Sequence, residues 1–218
     1  MQYWDKIEDL GSGIYVYRNL LKKELNIIDR LNSVLGASDS QKQFRWNPAF
    51  VGYNQLMPDY RDCEDFKYDK KLIQSIKTDE SLILQDLWQE CYDLKKLAVD
   101  DYCAKHNIQE LRYWEVFNFV KYNKGQHFSY HHDHGFSYNC TVSLVAYVND
   151  DYEGGGLHFK KQDLLYKPVA GDLVIFPSNY MYPHRAMPVE SGTKYSIVTM
   201  LDYSDKYHKP EFYQETGS

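Results

Sequence analysis

Several things are missing from this 218-residue chain, and each absence narrows its function. No apolar run is long enough to cross a bilayer, so no membrane partner is expected. Basic residues are not in excess: 25 Lys and Arg against 31 Asp and Glu leave a formal charge of -6, a poor match for phosphate backbones. Nucleic acid is therefore not an expected partner. Cysteine is sparse, with four residues (Cys63, Cys91, Cys103 and Cys140) and no CxxC pair. That pattern suits free buried thiols in a reducing compartment better than a disulfide framework. Met1-Gln2-Tyr3-Trp4-Asp5 lacks the basic-then-apolar pattern of a secretory signal, and a cytoplasmic location is expected. Internal repeats, low-complexity tracts and linkers are also missing, which favours one domain over residues 1–218.

What the chain has in quantity is aromatic: 21 Tyr, 10 Phe and 4 Trp. Strands accommodate such side chains well, so a β-rich fold is expected. Residues 1–110 read as a helical support region. Gly13 to Tyr17 suggests a short strand, and Leu21, Leu25, Ile28, Leu31 and Leu35 recur at helical spacing until Gly36. Residues 37–70 read as irregular, and a second helix fits Ser81 to Lys105. Residues 111–205 change character, with eight short Val-, Ile-, Tyr- and Phe-rich runs separated by turn formers and no helical stretch between them. A sandwich or jelly roll follows from that pattern, mainly β with supporting helices, an α+β class. Residues 206–218 read as a Tyr- and Lys-bearing tail, with Gly217-Ser218 as a cloning remnant.

His131-His132-Asp133 is a His-x-Asp triplet, and on a strand residues two apart share a face. With eight histidines and 20 aspartates, roughly 0.7 such triplets arise by chance, so the triplet alone decides nothing. His132 and His134 form a rival pair on the other face, and periodicity does not choose between them. The ordered context adds the weight. Tyr122 and Gly125-Gln126 precede the triplet, and Gly154-Gly155-Gly156-Leu157 follows. Then come His184-Arg185-Ala186-Met187-Pro188 and, ten residues beyond His184, Lys194. One His-x-Asp with a later His is the donor set of two-His, one-carboxylate iron sites. A fixed lysine at that distance suits the far carboxylate of a dicarboxylic acid.

Over residues 113–203 these motifs resemble the 2-oxoglutarate- and Fe(II)-dependent dioxygenases, within them the prolyl 4-hydroxylase-like branch with its small viral and bacterial members. The resemblance implies a double-stranded β-helix (jelly roll) core with helices packed on one sheet. It makes His131, Asp133 and His184 the iron ligands and catalytic centre. It pairs Lys194 with the C5 carboxylate of 2-oxoglutarate, sets Tyr122 near the metal end of the co-substrate, and brings Tyr147 and Leu157 into the same pocket. Fe(II), 2-oxoglutarate and O2 are the implied cofactors and co-substrates, with ascorbate as the optional addition. The implied reaction is hydroxylation of a C–H bond, first of a prolyl residue in a protein or peptide, with release of succinate and CO2. Retention of Asp133 fits hydroxylation rather than halogenation. Relatives carry an arginine where this chain has Cys140, a tryptophan where it has Met200, and often a tyrosine where it has Phe128. Those departures keep a free amino acid or other small molecule open as the alternative substrate. A non-catalytic jelly-roll binder of metal or sugar is the reading from another class. A viral member would work in the host cytoplasm.

Overall fold

A computed structural model describes residues 3–52, 55–135 and 138–208. The first strands are β1 (Lys6–Asp9) and β2 (Tyr15–Arg18), paired antiparallel. A 3₁₀ turn at Lys23–Leu25 then leads into α1 (Ile27–Val34). The helix expected across Leu21–Leu35 is thus broken, because Asn26 sits in the left-handed region at φ 47°, which one asparagine tolerates and a continuous helix does not. Its leucines are buried all the same: Leu21, Leu31 and Leu35 are in the core.

The stretch read as irregular holds β3 (Asn47–Pro48), β4 (Arg61–Asp62) and β5 (Glu64–Tyr68), followed by α2 (Lys70–Ser75). β5 has the sequence Glu-Asp-Phe-Lys-Tyr, whose charges hide an ordinary strand hydrogen-bonded to residues 117–121. Next is α3 (Asp79–His106), close to the Ser81–Lys105 expectation and about 42 Å long at 1.5 Å per residue. Its ends carry strong signals. Thr78 and Ser81 form a reciprocal capping box, Asp79 and Glu80 sit in the first turn, Lys105 and His106 in the last, and Asn107 closes it at φ 50°.

The second half is all strand among the described residues up to Asp202: β6 (Tyr113–Trp114), β7 (Phe117–Tyr122), β8 (His127–His131), β9 (Val142–Tyr147), β10 (Glu153–Gly154), β11 (Leu157–Phe159), β12 (Leu164–Tyr166), β13 (Leu173–Pro177), β14 (His184–Ala186), β15 (Val189–Ser191) and β16 (Lys194–Asp202). Two of the eight runs read from the sequence, Tyr113–Tyr122 and His184–Val189, are each split in two. The tail expected at 206–218 begins with a 3₁₀ turn at Lys206–His208, and its remainder lies outside the described residues.

The larger sheet runs β1-β2-β13-β9-β16-β7-β5-β3, with β6 on β16, and the smaller runs β12-β11-β14-β8-β4. Every pairing is antiparallel, giving the expected double-stranded β-helix. The first half is therefore more than helical support, since β1, β2, β3, β4 and β5 extend both sheets. Strand alternation divides the faces of the larger sheet. Phe117, Phe119, Leu144, Ala146, Ile197 and Leu201 pack outward with Leu84, Leu87, Ala98 and Tyr102 of α3. Tyr147, Val174 and Phe176 point between the sheets, against Leu157 and Phe159. No helix of the described residues is long and apolar enough to cross a membrane. All four cysteines are free and buried, as expected.

Candidate functional site

His131 and His184 face each other across the β8–β14 pairing. That pairing carries a bulge: His184 opposes His131, and Ala186, two residues on, opposes Phe128, three residues back. The extra residue in β8 brings Phe128 and His131 to the same side, where strict alternation would separate them, and their rings stack at 3.7 Å. Asp133 lies just beyond β8. Its carboxylate oxygens are 3.5 Å from His131 Nε2 and 3.7 Å from His184 Nε2. One donor atom from each residue falls within 4.8 Å of the others. Ligands about 2.1 Å from one ion at right angles stand about 3.0 Å apart, so small side-chain adjustments suffice to hold a metal here. The structure brings together the triad named from sequence and leaves the rival His132 and His134 out of it; His134 Nδ1 is engaged with Cys140.

Each histidine is oriented by its other nitrogen. His131 Nδ1 bonds the Ser129 carbonyl at 2.8 Å, and His184 Nδ1 the Tyr182 carbonyl at 3.0 Å. A carbonyl only accepts, so Nδ1 carries the proton and Nε2 presents a lone pair to the centre. Burial, reinforced by the neighbouring His184, lowers the His131 pKa and keeps its imidazole neutral. Burial pushes the Asp133 carboxyl up, but the two histidines and the Ser143 hydroxyl outweigh it and hold the group below its ordinary range. Ser143 Oγ donates to Asp133 Oδ2 at 2.5 Å. A neutral imidazole pair and an ionised carboxylate are the forms that bind a cation.

The triad lines a cavity of about 100 Å³. One water needs roughly 10–15 Å³ by this measure, so there is room for a small organic acid's worth of solvent. Tyr122, Tyr147, Leu157 and Lys194 line it too, so every residue named for the co-substrate reaches the same space as the triad. Lys194 is 2% exposed and lies 5.2 Å from the ring centres of both Tyr122 and Tyr147. Its Nζ donates to the Gly155 carbonyl at 2.6 Å and has no carboxylate partner among the described residues. Burial brings its pKa down to about 7. An ammonium so placed, with donor capacity left over, is strongly favoured by an arriving anion. Gly155 is required there: at φ +62°, a Cβ would lie 2.9 Å from the Tyr152 ring and 3.2 Å from the Lys194 stem.

Two lining residues had no motif to announce them. Arg61 of β4 donates to the Phe50 carbonyl (2.8 Å) and Asp65 (3.3 Å), and lies 5.0 Å from the Phe128 ring centre. Asn118 of β7 donates to the same Asp65 oxygen at 3.3 Å. Arg61 Nε and Asn118 Oδ1 are both buried without a hydrogen-bond partner among the described residues. Each such orphan costs about 1–3 kcal/mol. Of the three departures noted in sequence, Phe128 and Met200 line the cavity, while Cys140 is not among its walls.

Residues 117–201 match the sequence profile described as the 2OG-Fe(II) oxygenase superfamily. No curated protein sequence matches the chain. Among solved structures, a prolyl hydroxylase of Trichoplax adhaerens, in complex with a hypoxia inducible factor oxygen degradation domain peptide, superposes with a TM-score of 0.67 at 14% identity, over 94% of this chain and 87% of that one. A viral collagen prolyl hydroxylase from Paramecium bursaria Chlorella virus-1, in its 2OG complex, is similar with a TM-score of 0.60 at 16% identity, covering 88% and 96%. A Pseudomonas putida prolyl-4-hydroxylase gives 0.60 at 21% identity, covering 87% and 92%. At these identities the likeness is one of fold.

Proposed function

We propose that this chain, whose residues 117–201 match the 2OG-Fe(II) oxygenase superfamily profile, is a 2-oxoglutarate-dependent dioxygenase that hydroxylates a prolyl residue in a protein or peptide. In this reading His131, Asp133 and His184 hold the iron, and Lys194, Tyr122, Tyr147 and Leu157 receive 2-oxoglutarate. One observation carries it: a convergent two-His, one-carboxylate set and a buried, uncompensated lysine share a single cavity. The donor set fits a divalent transition metal, since it offers two imidazole nitrogens and one carboxylate. A second ligand with a terminal carboxylate fits the far end, where Lys194 awaits an anion.

Iron, 2-oxoglutarate and O2 bound together supply the oxidising power for C–H hydroxylation, with succinate and CO2 released. The chain's own contribution is positional. The carbonyls of Ser129 and Tyr182 fix the two imidazoles, and Ser143 fixes the carboxylate. Lys194 anchors one end of the co-substrate, so the opposite end is presented to the triad. The Tyr122, Tyr147 and Leu157 side chains exclude water around that anchor.

The test is to supply Fe(II), 2-oxoglutarate and O2 with a panel of proline-rich peptides and look for a +16 Da product by mass spectrometry. Succinate release should accompany it and be abolished in His131→Ala. A panel without product, while succinate release persists, would remove proline as the substrate. A free amino acid or other small molecule is the second reading, favoured by the modest size of the cavity. Free proline in the same panel separates the two.

A further inference from the structure

Arg61 and Asn118 reach the site from opposite directions. Arg61 stands across from Phe128 in the β4–β8 pairing, beside the strand that carries His131. Asn118 stands across from Val198 in the β7–β16 pairing, four residues along β7 from Tyr122, which pairs with Lys194. Four strand residues span about 13 Å, so Asn118 lies well away from the lysine end of the cavity. Both residues line that cavity. One carboxylate aligns them: Asp65 Oδ2 accepts from Arg61 Nη2 and from Asn118 Nδ2, each at 3.3 Å.

That alignment determines which atoms remain unused. Rotating the Asn118 amide would turn its oxygen on the Asp65 carboxylate, so Nδ2 stays with Asp65 and Oδ1 is left over. Arg61 Nη1 donates to the Phe50 carbonyl and Nη2 to Asp65, while Nε is buried without a hydrogen-bond partner among the described residues. The wall therefore holds one nitrogen, Arg61 Nε, and one oxygen, Asn118 Oδ1, that are buried without a partner. A ligand satisfying both must offer an acceptor and a donor, which a secondary amide supplies as its carbonyl and its N–H.

A free amino acid would instead bring a carboxylate to Arg61. The surroundings oppose that, because Asp65 already neutralises the guanidinium, and Glu115 adds negative charge nearby. Burial raises both the Asp65 and the Glu115 pKa, a sign that this wall accommodates further anions poorly. A neutral amide adds no charge. We infer that Arg61 and Asn118, aligned by Asp65, form a recognition pair for a backbone amide of a peptide substrate, next to the residue that is hydroxylated. This rests on the peptide-hydroxylase reading and specifies how it selects a peptide over a free amino acid.

The experiment begins with a peptide that the wild-type protein converts to the +16 Da product. Each N–H-bearing amide flanking the modified residue is replaced in turn by an ester, which deletes the donor and keeps the shape. Peptide dissociation constants are measured by equilibrium dialysis in the presence of 2-oxoglutarate, for wild type and Asn118→Ala. One ester should weaken binding to wild type about tenfold, near the upper end for one neutral hydrogen bond, and the same ester should cost Asn118→Ala nothing further. Arg61→Lys, which keeps the charge near Asp65 but loses Nε, should weaken the parent peptide by a similar factor. The ester arm needs no variant, so it is informative even where a substitution impairs folding. Equal binding of all esters to wild type, or an ester penalty that persists in Asn118→Ala, would overturn the inference and leave the hydroxylase reading standing. A fall in 2-oxoglutarate affinity with peptide affinity unchanged would overturn it too, by assigning the pair to the co-substrate. Absence of any peptide product in wild type would remove the peptide-hydroxylase reading itself and this inference with it.

Discussion

Lys194 shows how much a single side chain's meaning depends on its surroundings. In the sequence it is a lysine ten residues after a histidine; in the fold it is a desolvated ammonium with one carbonyl partner. Truncating one member of a buried charge pair costs about 2–5 kcal/mol, so Lys194→Ala should weaken 2-oxoglutarate binding by about 30-fold or more, with metal binding retained. Titration calorimetry with and without metal checks both halves. The pH dependence has a definite sign. Without co-substrate burial brings Lys194 down to about 7, and a bound carboxylate raises it. Affinity should therefore be level below pH 7 and fall with rising pH above it, approaching tenfold per unit. Lys194→Arg should lose that fall, because guanidinium stays charged throughout. Unchanged affinity in Lys194→Ala would show the lysine has another role. Arg61 and Asn118 are the opposite case. Neither sits in a motif, and their unused atoms exist only because Asp65, from β5, draws the rest of each side chain to one side.

At the scale of elements, local signals were readable where they were strong and local. The ends of α3 follow from Thr78, Ser81 and Asn107, and Thr78→Ala should cost about 1 kcal/mol. For a chain of this size that lowers the melting temperature by about 2–4 °C, measurable by calorimetry or circular dichroism. A negligible change would show that tertiary packing alone holds this end. β5 was not readable, because its two acids and a lysine mask an alternation that only its pairing with β7 reveals. The α1 run was misread for the reverse reason: its leucines keep helical spacing, while Asn26 turns left-handed and breaks the helix. The bulge in β8 is the subtlest case. A period-two pattern cannot foresee an inserted residue, yet that residue puts Phe128 beside His131 in the site wall.

Across the whole molecule, the interface between α3 and the larger sheet hides a second buried lysine. Lys95 is fully buried, donates to Thr199 Oγ1 at 2.6 Å and lies 3.4 Å from the Phe117 ring centre. Burial brings its pKa down to about 7 from 10.5. Between those values the unfolded chain carries a proton that the folded chain lacks, so folding is opposed by protonation. Stability should rise with pH from about 7 to 9, by up to ~1.4 kcal/mol per unit for each such lysine. Lys194 adds a slope of the same sign. Above about 9 the buried thiols reverse it, since burial pushes groups such as Cys91 up to about 12. Lys95→Met should remove one lysine's share of the slope and leave stability at pH 7 unchanged or higher, because an apolar side chain fits an interface that the ammonium enters at a cost. Urea unfolding at pH 7 and pH 9 reads both effects. A wild-type profile that is flat, or falls, over this range would show that the lysine remains charged in the fold.

What the residues determined unaided is the strand-rich second half, the α3 boundaries and the donor types at His131, Asp133, His184 and Lys194. Those follow from short-range rules: alternation, capping and the spacing of a few side chains. Triplet spacing left His131 with Asp133 and His132 with His134 equally eligible. Tertiary structure separated them, because His184 arrives across the sheet from His131. The same holds for the cavity wall. Arg61, Asn118 and Asp65 come from three strands, and their shared hydrogen bonds form only when β4, β5 and β7 lie beside the site. Contacts between residues distant in the chain, and the polar atoms they leave unpartnered, are properties of packing that no local pattern encodes.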